Sequence, residues 1–212
     1  MAVWGDGGAE NWRPYLAELT CRIVHFVRDT RPIAMSLVAG QGHYEAVMGA
    51  VRRARQSVWI ATANLKGVMV EDGATRRGRR QSYRSMLDVF AELHRAGVEL
   101  RILHASMPSR AFREDFDRYP ELVAGGLELR ACPRVHLKAV IVDAELLYLG
   151  SANWTGAGLG VKDIHRRNFE LGMVTTDCQL LDEVQLLFDT IWRGAECGQC
   201  KLRDHCEAPL DN

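Results

Sequence analysis

His136-Leu137-Lys138-Ala139-Val140-Ile141-Val142-Asp143, followed after Ala144-Glu145 by Leu146-Leu147-Tyr148-Leu149-Gly150-Ser151-Ala152-Asn153, decides the fold. Leu137 and Ala139 to Val142 are apolar with no helical period, so the first part reads as a largely buried β-strand ending at Asp143. Side chains two apart on a strand share a face, which sets His136 and Lys138 side by side. Asp143 has the opposite parity and falls where the strand gives way to a turn, so it reads as a supporting residue. Leu146 to Leu149 form a second apolar run. It leads into Gly150, where backbone can approach a ligand closely, and into Ser151 and Asn153, which offer small polar groups. Asn168 and Glu170 share a face at the start of a further strand, Leu171 to Val174.

This stretch therefore supplies a base, a cation, amide donors and a carboxylate. Such a set suits attack at phosphorus, where charge builds on non-bridging oxygens and must be met by pre-placed donors. The plainer reading is a buried His and Lys on an ordinary strand. Lysine is scarce here, confined to Lys66, Lys138, Lys162 and Lys201, and burying one without a partner is costly.

His136-x-Lys138, four residues, Asp143, six residues, then Gly150-Ser151-x-Asn153 resembles the signature of the phospholipase D superfamily, and Asn168-x-Glu170 resembles its continuation. The resemblance covers about residues 36–192. It implies a mixed sheet with helices on both faces and a metal-free phosphodiesterase working through a phosphohistidine. His136 would attack phosphorus, Lys138 and Asn153 would bind the phosphoryl oxygens, and Ser151, with Gly150, Asp143 and Asn168, would support them. Glu170 would hydrogen-bond the far nitrogen of His136. That chemistry needs two histidines, and His25, His43, His94, His104, His165 and His205 all lack a lysine two residues on. Single-motif members of the family homodimerise around a two-fold axis, so the resemblance implies a C2 dimer with the site at its interface.

With 212 residues and 47% apolar content the chain can bury one sizeable core. Residues 1–35 read as an accessory segment with a short helix at Asn11 to Leu19, residues 36–192 as the catalytic domain, and 193–212 as a cysteine-rich tail. The pattern predicts helices at 43–56, 82–96, 110–124 and 179–192, strands at 57–62, 98–103 and 127–131, and a polar loop up to Gln81. Alternation of helices and strands, then consecutive strands, argues an α/β fold. The amino terminus lacks the character of a signal peptide, and no apolar run approaches the ~20 residues of a membrane helix. The expectation is a cytoplasmic protein.

Net charge is zero, which removes any global electrostatic case for a polyanion partner. Locally, Arg76, Arg77, Arg79, Arg80 and Arg84 cluster in one stretch, and Arg166 and Arg167 precede Asn168. These read either as phosphate-gripping arms or as solvated surface. Cys197-x2-Cys200-x5-Cys206 in the tail suggests a metal, with Cys21, Cys132 or His205 as fourth ligand. Zinc is one candidate. An iron–sulfur cluster is the other, because the spacing resembles the last three cluster ligands of some helicase-associated nucleases. No cofactor is expected for catalysis. The leading function is cleavage of nucleic-acid phosphodiesters; the alternatives are hydrolysis of phospholipid head groups and a non-catalytic nucleic-acid-binding module.

Overall fold

A computed structural model describes residues 25–72, 82–161 and 164–210. Among these residues nine strands form: β1 (Ser36–Ala39), β2 (Ser57–Thr62), β3 (Met69–Glu71), β4 (Tyr83–Ser85), β5 (Glu99–His104), β6 (Glu128–Ala131), β7 (Ala139–Val142), β8 (Leu146–Gly150) and β9 (Leu171–Thr175). Seven of them make one sheet in the order β1-β9-β8-β7-β2-β5-β6. The pairs β2–β5 and β5–β6 are parallel and the others antiparallel, so the sheet is mixed, as the motif and its neighbours predict.

Both faces are covered. Val58, Ile60, Ile102, Val140, Val142 and Tyr148 point one way and join Val47, Met48 and Val51 of the helical segment 41–51, with Leu87 and Phe90 of the Met86–Arg95 helix. Residues of the other parity, Ala61, Leu103, Ala139, Ile141 and Leu147, meet Leu181, Phe188 and Trp192 of the Cys178–Trp192 helix. Trp59 stacks on Phe188 at 5.2 Å between centroids, and Phe188 on Trp192 at 5.7 Å. Every residue of β7 is buried, which explains its unbroken apolar run: a central strand has no solvent face.

Four expectations need correction. The region read as a loop and a helix start holds a small antiparallel pair, β3 with β4. These strands have three residues each, too short to show a period. The Arg-rich stretch lies between them in sequence and falls outside the described residues at 73–81, as does the helix expected at Asn11 to Leu19. The helix expected over 110–124 is split: it stops at Phe116, because Pro120 cannot continue it and pushes the residue before it out of the helical region, and helical structure resumes over Leu122–Gly126. Residues 52–56 lie beyond the first helical segment, which starts at Gln41 and ends at Val51. Finally, β1 is an edge strand that sequence reading missed; three of its four residues are exposed, so it lacks an alternating signature.

Asp143 closes the turn between β7 and β8 in a left-handed conformation, φ 55°. Its carboxylate accepts from the backbone N–H of Arg55 (2.9 Å), Gln56 (2.7 Å) and Ser57 (2.9 Å). Those bonds satisfy three donors at the entry to β2 and tie that strand to the β7–β8 turn. Asp177 acts similarly at the last helix: it accepts from Leu180 N–H at 2.8 Å and is gripped by Arg31 at 2.7 Å, capping the helix start.

Asp143→Ala removes the charged acceptor of three backbone donors, so the protein should lose about 2–3 kcal/mol of stability, read as a lower urea midpoint, with Asp143→Asn between the two; an unchanged midpoint contradicts the bracing role. The hydrogen bonds from Arg31, then from the Leu180 N–H, hold the Asp177 carboxyl down at about 2 against an ordinary 3.8. A depressed folded-state pKa gives stability that is present above the unfolded value and lost as pH falls through the folded one. Stability should therefore decline between about pH 4 and pH 2, and Asp177→Asn should flatten that slope in urea titrations across the window.

Candidate active site

Strand directions bring the motif residues other than Asp143, which closes the turn at the opposite end, to one end of the sheet. The parallel strands β2 and β5 finish there at Thr62 and His104, β7 begins there after Lys138, β8 ends there at Gly150, and β9 starts there at Leu171. His136 and Lys138 precede β7 rather than lying within it, since the strand begins at Ala139. The ladder still reaches Lys138, whose carbonyl accepts from Gly150 N–H at 3.1 Å.

The side chains of His136 and Lys138 do meet. The Lys138 Nζ is 3.0 Å from Nδ1 and 3.1 Å from Nε2 of the imidazole and donates to the His136 carbonyl at 2.9 Å. Burial draws the Lys138 pKa below the ordinary lysine value, and the nearby Glu170 charge opposes that shift. His136 itself is exposed, so an incoming phosphodiester can reach its ring.

Glu170 departs from expectation. Its carboxylate accepts from Ser151 Oγ through one oxygen and from Asn168 Nδ2 at 3.1 Å through the other, and not from His136. The reason lies in strand register. Ser151 N–H bonds to the Leu171 carbonyl at 2.9 Å, and Leu171 N–H returns to Ser151 Oγ at 3.1 Å, which places Ser151 directly beside Glu170. Within one chain the carboxylate fixes two polar neighbours and projects its field on Lys138.

Asn153 turns its carbonyl oxygen inward, accepting from Asn64 N–H at 3.0 Å and Thr62 Oγ1 at 3.3 Å. That orientation leaves its amide N–H group directed away from this support as a donor. Asn153 and Asn168 line one cleft of about 310 Å³ with Asn64, Lys66, Thr155 and Gly156. Sequence reading missed Lys66 and Asn64. The rarity of lysine was the one available cue, since neither residue belongs to a motif; the parallel contact of Leu65 with Trp154 brings them there.

Gly150 and Gly172 face each other across β8 and β9. A Cβ on Gly150 would stand 2.8 Å from Cα of Gly172, and one on Gly172 would stand 2.5 Å from the Tyr148 ring. Neither glycine can be replaced without moving the strands. The buried Tyr148 hydroxyl beneath them contacts His43 Nδ1 at 3.0 Å, and burial, chiefly, pushes its pKa up to about 12.

The remaining candidates divide. Arg166 is exposed and Arg167 half-buried, at the end of the short turn before Asn168. Arg84 is tied to Glu92, at 2.9 Å through one pair of atoms, and stands apart from the motif. Arg76, Arg77, Arg79, Arg80 and Cys21 lie outside the described residues. Trp154 is packed against Phe90 at 6.0 Å and so does not offer a face for base stacking. Cys132, Cys197, Cys200 and Cys206 line a common pocket, which His205 does not line. Burial above all raises the Cys132 thiol pKa, with the charges of Cys197 and Cys206 adding to it.

Comparison with known proteins agrees with this geometry. The family model described as the cardiolipin synthase, phospholipase D-like domain matches residues 47–192. A mitochondrial cardiolipin hydrolase of Chlamydomonas reinhardtii is 30% identical over 105 residues, which is 50% of this chain and 44% of that protein. The chain thus matches less than half the length of this curated relative. Among solved structures, NucT from Helicobacter pylori aligns with a TM-score of 0.54 at 16% identity, over 76% of this chain and 96% of that one. The phospholipase D family member Nuc from Salmonella typhimurium aligns at 0.52 and 19% identity, over 75% of this chain and 95% of that one. With the family model spanning well over half its length and the sheet carrying the motif at one end, the chain belongs to the phospholipase D-like phosphodiesterases.

Proposed function

We propose that this protein is a metal-independent nuclease that cleaves phosphodiester bonds through a phosphohistidine on His136, in an active site completed by a second copy of the chain. The observation that carries the reading is the contact between Lys138 Nζ and the exposed His136 imidazole, beside a cleft lined by amide and ammonium donors. A fixed ammonium can meet charge developing on the phosphoryl oxygens, the role a divalent cation takes elsewhere.

In the first step a ring nitrogen of His136 attacks phosphorus, the N–P bond forms and the P–O bond to the leaving group breaks. The leaving oxygen takes a proton from the imidazolium of His136 on the second copy. A water then gives its proton to that same imidazole and attacks phosphorus, which breaks the N–P bond and returns both rings to their starting states. Lys138, Asn153 and Lys66 hold the non-bridging oxygens. Ser151 and Asn168, both fixed by Glu170, keep the strand ends in place. Each chain supplies one such histidine, which is why the reading requires a dimer.

Lys66 in the cleft, with Arg166 and Arg167 just ahead of Asn168 in sequence, favours a polyanionic substrate, because basic side chains that track a backbone supply most nucleic-acid affinity. A second reading, hydrolysis of phospholipid head groups, has one observation in its favour. Ile164, Phe169 and Leu171 are exposed, and the last two flank Glu170. An apolar rim there suits a lipid surface, and it equally suits burial against a second copy.

The purified protein, assayed on single- and double-stranded DNA, RNA and cardiolipin liposomes in excess EDTA, should cleave nucleic acid; head-group release alone selects the lipid reading, and activity restored only by Mg²⁺ contradicts the mechanism. His136→Ala should lower kcat by roughly a thousandfold or more while substrate binding survives, and Asn153→Ala by about a hundredfold. Mixed dimers of active and His136→Ala chains should be inactive. Full activity per remaining wild-type chain sinks the shared site.

A further inference from the structure

We infer that Cys132, Cys197, Cys200 and Cys206 together bind an iron–sulfur cluster, and that this centre clasps the tail to the loop that carries His136. The four cysteines come from two places 65 residues apart in sequence, yet they line one small pocket.

Local structure explains the spacing in the tail. Cys200 N–H bonds to the Cys197 carbonyl, Arg203 N–H to Cys200 and Cys206 N–H to Arg203. Successive three-residue turns bring every third side chain to the same side. That side carries Cys197, Cys200, Arg203 and Cys206, all four of which line the pocket. Gly194, at φ +74°, starts the tail, and a side chain there would collide with Leu210 at 2.5 Å. The tail's far end is thereby folded back over its beginning. Opposite it, Cys132 follows β6 directly, with its N–H on the His104 carbonyl and its own carbonyl on Val135 N–H. Both contributors are held by backbone bonds before any ligand arrives.

The surroundings suit a cluster. Ala131, Pro133, Ile191, Ala208, Pro209 and Leu210 make the rest of the wall apolar, and Arg130 and Arg203 bring positive charge to a site that gathers four thiolates. The Arg203 guanidinium is fixed by the carbonyls of Cys197 at 3.3 Å and Leu210 at 2.8 Å. Among the described residues, no group of three His, Cys, Asp or Glu side chains is arranged to hold a metal ion as it stands, so the four thiols must draw inward around whatever they bind. Zinc at about 2.3 Å from each sulfur would draw four thiolates tightly together. A cluster places its own iron and sulfide between them and accepts a wider spread, with four thiolates as its usual set.

The consequence is mechanical. Cys132 stands four residues before His136, and the turn it closes with Val135 leads straight into the motif. A centre anchored on Cys132 restrains that turn as well as the tail.

The test is anaerobic purification of the full chain, with iron, zinc and acid-labile sulfide measured beside the visible spectrum. Brown protein with iron and acid-labile sulfide in equal amounts, about two or about four of each per chain, is expected. Cys→Ser at any of the four positions should remove it, whereas Cys178→Ser, at an exposed cysteine outside the pocket, should keep it. Where a variant fails to fold, oxidative bleaching of the intact holoprotein gives the same reading: loss of colour should lower the Tm by roughly 10 °C. One zinc per chain, lost in all four variants, retains the thiolate site and overturns the cluster. Iron kept in Cys132→Ser overturns the clasp, and absence of both metals with four reactive thiols overturns the site.

Discussion

The close approach of β8 and β9 at Gly150 and Gly172 is the constraint on which the site depends. Tyr148 fills the space beneath the pair, so neither position accepts a Cβ, and its hydroxyl is pinned by the buried His43. With the strands this near, Ser151 bonds to Leu171 through both its N–H and its hydroxyl, and Glu170 falls beside Ser151. On the other edge of β8, Gly150 N–H holds the Lys138 carbonyl. One local packing choice thus sets the positions of the lysine, the serine and the carboxylate together.

Electrostatics then separates two kinds of residue at the two ends of the sheet. Asp143 and Asp177 are consumed by backbone donors and by Arg31, and they hold strands and a helix in place. Glu170 is spent on Ser151 and Asn168. Among the described residues no carboxylate is bonded to Lys138; its ammonium rests on the His136 ring and carbonyl. A cation placed so is available to a phosphate in a way that an ion-paired one is not, because an incoming anion displaces no carboxylate. In the proposed two-ring reaction, the exposed apolar side chains around Glu170 and the exposed His136 are the surface that a second copy would cover.

Much of this was legible in the sequence because it depends on period and spacing. The run from Ala139 to Val142 announced a central strand, and the parity of His136 and Lys138 announced their contact even though both precede the strand. What escaped was decided by tertiary contact. The β3–β4 pair and the edge strand β1 are too short or too exposed to carry a pattern. Lys66 joins the cleft only because Leu65 pairs with Trp154. The partner of Glu170 followed from register between β8 and β9, which no single strand encodes. Cys132 could be named as a candidate from its residue type, but that it, and not His205, lines the pocket with the tail cysteines depends on the fold bringing the end of β6 against the tail.

The central claim is that His136 becomes covalently bonded to phosphorus. Rapid alkaline quenching during turnover of an oligonucleotide, followed by peptide mass spectrometry, tests it most directly, since a phosphoramidate survives base and is lost in acid. A nucleotidyl or phosphoryl adduct is expected on the peptide containing His136, absent from His136→Ala chains. Turnover with no adduct on that peptide, or with an adduct on another residue, would contradict it.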